Sequence, residues 1–158
     1  MIRTLALTLS LAASLTLSAQ AQTGKAKTNK SGAPADLIGA YTIIAGEKYG
    51  QKEPAERIEG TTVRFAEDGI IVLDKEKKEV YAQTYKIDAT TTPWTIVMKS
   101  KITPYTEKGQ GETIAKGLIE KDGDTVKLIY AIPGGEMPTE FKTKEKQLMF
   151  VMKNEKKK

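Results

Sequence analysis

The chain contains neither cysteine nor histidine, and the two absences together remove most familiar reaction chemistry. Without cysteine there is no disulfide, no thiolate nucleophile and no thiolate metal ligand. Without histidine, Ser-His-Asp and Cys-His arrangements are excluded, as is a zinc site built on imidazole. The side chain best suited to proton transfer near neutral pH is missing with them. Any catalysis has to rest on Asp, Glu, Lys or Tyr. The expectation is a protein that is not an enzyme and that holds no metal or cofactor.

Long apolar runs are scarce. One occupies residues 5–17, broken only by Ala, Ser and Thr; Arg3 precedes it and Ala19-Gln20-Ala21 follows. A positive start, a short apolar stretch and a small-x-small ending make up an export signal, with Ala19 and Ala21 as the cleavage residues. At 13 residues the run is too short to cross a bilayer of about 30 Å as a helix. Residues 1–21 are therefore read as a signal peptide, which puts the mature protein in the periplasm or outside the cell. With no cysteine at the cleavage site there is no acyl anchor, and a monomer without a membrane anchor is expected.

Charge of one sign gathers only toward the ends. The formal net charge is +5, yet residues 142–158 hold seven lysines against Glu145 and Glu155. Lys25, Lys27 and Lys30 stand against Asp36 in residues 22–36, which leaves 37–141 at −3. A nucleic-acid surface needs a basic face interleaved with aromatics, and Lys156, Lys157 and Lys158 have none beside them. Residues 154–158 read as a solvated basic tail, and no nucleic-acid partner is expected. Residues 22–36 are polar and small, as in a flexible linker, with a helical turn expected near 34–38.

What is present is two-residue alternation. Tyr41, Ile43 and Ala45 share a face, as do Val63 and Phe65; Tyr81, Tyr85 and Ile87; Trp94, Ile96 and Met98; Val126, Leu128 and Tyr130; and Leu148, Phe150 and Met152. Asp68-Gly69 and Asp122-Gly123-Asp124 carry hairpin turn chemistry. The pattern predicts eight strands, at 39–47, 61–65, 70–74, 79–88, 94–99, 113–121, 125–132 and 147–153, and one short helix at 54–59 opened by Pro54. Short antiparallel strands with mostly hairpin-sized links predict an all-β fold. It is an eight-stranded up-and-down barrel over residues 37–153, chosen over a sandwich.

Gly39-Ala40-Tyr41 after a helical turn resembles the Gly-x-Trp opening of lipocalins, within the calycin group, with Tyr in place of Trp. Three further segments resemble the exported lipocalin-like domains common in planctomycete bacteria. They are Tyr85-Lys-Ile-Asp88, the stretch from Gly117 to Tyr130, and Pro133-Gly-Gly-Glu-Met-Pro-Thr-Glu-Phe141. The likeness spans 37–153. It implies an eight-stranded barrel and no particular reaction.

Tyr41, Tyr81, Tyr85, Trp94, Met98, Tyr130 and Phe150 are the candidates for a ligand surface inside that barrel. An eight-stranded lumen is either just filled by side chains or admits one small ligand, so two readings stay open. In one, a small apolar or amphipathic molecule lies against these rings, and Trp94 emission responds to it. In the other the rings fill the core, their hydroxyls meet backbone, and the protein serves an envelope partner through its loops. Glu47, Glu136 and Glu140 are the carboxylates for a third, enzymatic reading. The glycines of 133–138 lack a following helix and read as a wide turn carrying Thr139, Glu140 and Phe141 across the barrel end; Gly109-Gln110-Gly111 reads as a hairpin loop.

Overall fold

The alternating segments become nine strands: β1 (Gly39–Lys48), β2 (Gln51–Lys52), β3 (Thr62–Phe65), β4 (Ile70–Leu73), β5 (Glu79–Asp88), β6 (Trp94–Ser100), β7 (Ile114–Asp122), β8 (Thr125–Ala131) and β9 (Gln147–Asn154). A single 3-10 turn at Ala35–Leu37 and one helix, α1 (Ala55–Ile58), join them. The computed structural model describes residues 30–100 and 114–155. The expected export signal at residues 1–21, most of the expected linker, the Gly109-Gln110-Gly111 segment and the three terminal lysines lie outside the described residues. No helix among the described residues is long and apolar enough to cross a membrane.

Every neighbouring pair is antiparallel, in the order β1-β3-β4-β5-β6-β7-β8-β9, and β9 returns to pair with β1 from Tyr41↔Asn154 to Lys48↔Leu148. The sheet is thus a closed eight-stranded up-and-down barrel, and β2 adds two residues to the end of β1. Closure leaves no long unpaired edge.

The turns follow their sequence signals with one shift. Gly123 takes a positive φ of 54° in the two-residue link between β7 and β8, as the turn chemistry requires. The β3–β4 turn instead closes around Glu67 and Asp68, where the Ala66 N–H donates to the Gly69 carbonyl at 2.8 Å.

Three expectations are corrected. A β-bulge between Ile43 and Ala45 inserts an extra residue in β1, which reverses the facing beyond it. Ala45 is therefore exposed on the outer side, and Gly46 points toward Phe150 within the barrel. The linker gives way to packed chain before residue 37. The Ile87 N–H donates to the Ser31 carbonyl at 2.7 Å, and Ala33 is fully buried. Gly32 fits there with φ 75°, since a Cβ would come within 2.3 Å of the Ile87 carbonyl oxygen. At the other end the fold extends into the expected tail: the Glu155 N–H donates to the Ala40 carbonyl at 2.9 Å.

The third correction concerns the connection from β8 to β9. Leu118 and Ile129 pair side by side on the outward faces of β7 and β8, yet they are only 7% and 0% exposed. Lys127 also points outward, and its Nζ sits 6.0 Å over the Phe141 ring. The connection therefore lays Phe141 against the outer wall of β8 rather than across the barrel end.

Gly117 on β7 shows how tightly β7 and β8 approach. A Cβ at this position would lie 2.0 Å from the Ile129 carbonyl oxygen and 2.8 Å from Tyr130 Cα. Gly117→Ala is expected to lower stability in urea by about 1–3 kcal/mol. Gly123→Ala, where a Cβ meets nothing within 4 Å, should cost about 1 kcal/mol through its left-handed backbone alone. Equal losses at the two sites would show that no such close approach exists.

Candidate functional site

The two ends of the barrel are filled differently. Toward the 3-10 turn, Tyr41, Phe65 and Tyr85 form consecutive edge-to-face contacts with ring centroids 5.7 and 5.9 Å apart, a favoured aromatic geometry. Leu37, Ile96 and Ile119 are fully buried around them. The two phenols are satisfied by backbone. Tyr41 Oη donates to the Leu37 carbonyl at 3.0 Å, and Tyr85 Oη to the Ala66 carbonyl at 2.7 Å. This end is a packed plug.

Toward the opposite end lies a cavity of about 590 Å³. Its wall is mostly apolar, with Ile43, Val63, Val72, Leu128, Phe150 and Met152 supplying much of it. Ile58 and Arg57 bring α1 to its rim, and Asp74 closes β4 there. Tyr81 from β5 and Tyr130 from β8 face in from well-separated parts of the wall. The volume falls inside the range of about 300–1,000 Å³ usual for small-molecule sites.

The seven residues singled out by alternation therefore divide. Tyr81, Tyr130 and Phe150 line the cavity, while Tyr41, Tyr85, Trp94 and Met98 are absent from its wall. Tyr41 and Tyr85 belong to the plug. Trp94 is half-buried at the start of β6, opposite Ile119 and packed on the core, so its emission is no direct reporter of the cavity. Met98 is buried and receives the Gln83 side-chain amide at 3.1 Å.

Gln83, Ala115, Val72 and the α1 residues were not singled out, although they line the same cavity. Gln83 shares the parity of Tyr81, Tyr85 and Ile87, which was a usable signal. Nothing in the sequence pattern shows that α1 would reach the rim, because that depends on how the β2–β3 connection folds.

Of the three candidate carboxylates, Glu47 tethers a loop. It accepts from the Thr143 N–H at 2.9 Å and from the Thr143 hydroxyl, which in turn accepts from the Gly50 N–H at 2.7 Å. These two bonds, side chain first, hold its carboxyl below the ordinary value of 4.5. Glu136 and Glu140 are exposed on the β8–β9 connection, and neither lines the cavity.

Tyr130 has the most altered phenol. Burial pushes it up to about 12, with smaller contributions from the phenols of Tyr81 and Tyr49. Tyr81 is also raised, by burial.

Two pH responses follow, of opposite sign. The fold holds the Tyr130 proton more tightly than the unfolded chain, whose phenol titrates near 10.0. That contribution to stability is complete below pH 10 and is lost as pH rises toward about 12. Denaturation midpoints should fall across that window, and should fall less in Tyr130→Phe. The Glu47 contribution is present above 4.5 and is lost as pH falls through the lowered folded value. Glu47→Gln should therefore flatten the acid limb of the stability curve; an unchanged acid limb would contradict the tether.

No protein-family model, curated protein or solved structure matches the chain, so the cavity's own geometry carries the functional reading.

Proposed function

We propose that this chain is an exported, non-enzymatic lipocalin-like barrel that takes a small apolar or amphipathic molecule into its open half. The observation that carries the proposal is the cavity of about 590 Å³ with its largely apolar wall. Apolar surface enclosed in such a space gains roughly 25 cal/mol for each Å² removed from water, enough to hold a ligand without a covalent bond or a charged clamp. The plug at the other end supplies the rigid floor that a preformed site needs. The likeness to exported planctomycete domains and the leader at 1–21 agree with a role outside the cytoplasm. The rival reading, an interaction protein with a filled barrel, draws support from the plug but not from the open half.

A neutral fluorescent probe, N-phenyl-1-naphthylamine, tests the proposal. It should bind one per chain with micromolar affinity and be displaced by apolar competitors. Ala115→Trp and Leu128→Trp, which fill the cavity from β7 and β8, should each weaken it by at least about tenfold. Val97→Trp, on a partly exposed outer position of β6, should leave it unchanged. Undiminished binding to both filled variants would place the probe outside the barrel and defeat the carrier reading.

A further inference from the structure

Among the described residues, the Tyr130 hydroxyl and the Gln83 side-chain oxygen in the cavity wall have no hydrogen-bond partner, whereas the phenols of the plug do. The phenols of the plug, Tyr41 and Tyr85, both donate to backbone carbonyls. Tyr130 is different. Its ring is partly buried and forms part of the wall, and its hydroxyl has no hydrogen-bond partner among the described residues. Gln83, also in the wall and buried, gives its amide N–H to the Met98 thioether sulfur at 3.1 Å, and its side-chain oxygen has no partner among the described residues. A thioether is a weak acceptor. A polar group withdrawn from water without a partner bears a desolvation cost, so a donor and an acceptor of this kind on one cavity mark where a ligand oxygen would sit.

Charge in the wall is confined to the rim. Arg57 is bound to Glu53 at 3.5 Å and its side chain is 70% exposed. Asp74 accepts from the Glu76 and Lys78 N–H groups at 2.8 and 2.9 Å. The remaining lining residues are uncharged. An anionic head drawn inside would meet no counter-charge, and burying an unpaired ion is strongly unfavourable.

We infer that the occupant is a neutral molecule, hydrocarbon for most of its length, with an oxygen that accepts from the Tyr130 hydroxyl and, where it is a hydroxyl, donates its own proton to the Gln83 side-chain oxygen. Aliphatic alcohols meet both groups, and esters, ketones and amides meet the Tyr130 hydroxyl through their carbonyl; free fatty acids and plain alkanes do not fit. Tyr130 and Gln83 stand on β8 and β5, with β6 and β7 between them. A hydroxyl is therefore addressed from two separate parts of the wall, which fixes its position as well as its presence. This inference rests on the carrier reading above.

The test is displacement of N-phenyl-1-naphthylamine by decane, decanol, methyl decanoate and decanoate at pH 8, from the wild type and from Tyr130→Phe/Gln83→Leu. The double variant should lose about tenfold or more on decanol and methyl decanoate while decane is unaffected. Decanoate should compete more weakly than methyl decanoate against the wild type. Equal losses on all competitors, or no loss on any, overturns the inference, as does decanoate being the strongest competitor. Binding of the probe without displacement by any of the four also overturns it but leaves the carrier reading standing. Failure of the probe itself to bind removes both. Separately, Tyr130→Phe without ligand should melt at or above the wild type, because the hydroxyl it deletes has no partner among the described residues. A clear drop in melting temperature would mean the fold itself holds that hydroxyl, and the inference would fall.

Discussion

Hydrogen bonding between β1 and β9 fixes the width of the interior, and the rest of the molecule follows from that width. Once eight strands close, the lumen can be just filled or can hold one small guest, and side-chain size at each level decides which. The closure is reinforced outside the lumen. Thr42 and Thr62 donate to the Glu155 carboxylate at 2.8 and 3.0 Å, and Lys77 donates to Thr62 at 2.8 Å. The bulge in β1 lets the strand stay paired with β9 while its facing changes. That change puts Gly46 rather than a larger residue next to Phe150, on the open side.

Within this frame the floor and the cavity have different polar chemistry. Aromatic rings packed edge to face make the floor dense, and backbone carbonyls satisfy their hydroxyls. The open half combines aliphatic residues with the phenols of Tyr81 and Tyr130 and with Gln83, whose side-chain oxygen finds no partner among the described residues. On the proposed carrier reading, stability resides in the first arrangement and selectivity in the second. Sites that serve a ligand commonly depart from full internal satisfaction in this way. The β8–β9 connection takes a separate course, with Phe141 set against Lys127 on the outer wall, where Leu118 and Ile129 are also buried.

Much of the architecture was legible because strand alternation is a local property. The eight strands of the barrel, their order and most of their limits follow from period-two patterning and from turn residues such as Asp122 and Gly123; the two-residue β2 (Gln51–Lys52) does not. The bulge at Ile43 was not legible, since an inserted residue leaves no mark in an apolar run such as Ile43-Ile44-Ala45. The path of the β8–β9 connection also escaped, although the outward Ile129 on β8 was a trace of it in the sequence. The candidate site was half legible. Parity tells which residues point inward but not how deep they lie along the barrel axis, so Tyr41 and Tyr85 could not be separated from Tyr81 and Tyr130. Gln83 was passed over because polarity at an inward position is easily read as an error in the pattern, when here it is part of the wall.

The central claim is an asymmetric barrel, packed at one end and receptive at the other. Methyl NMR of the protein titrated with a neutral aliphatic ester tests it most directly. Shifts confined to Ile43, Val63, Val72, Leu128 and Met152, with Leu37, Ile87, Ile96, Ile119 and Val126 unmoved, are the expected result. Shifts spread equally over both groups, or confined to residues on the outer wall, would contradict the account.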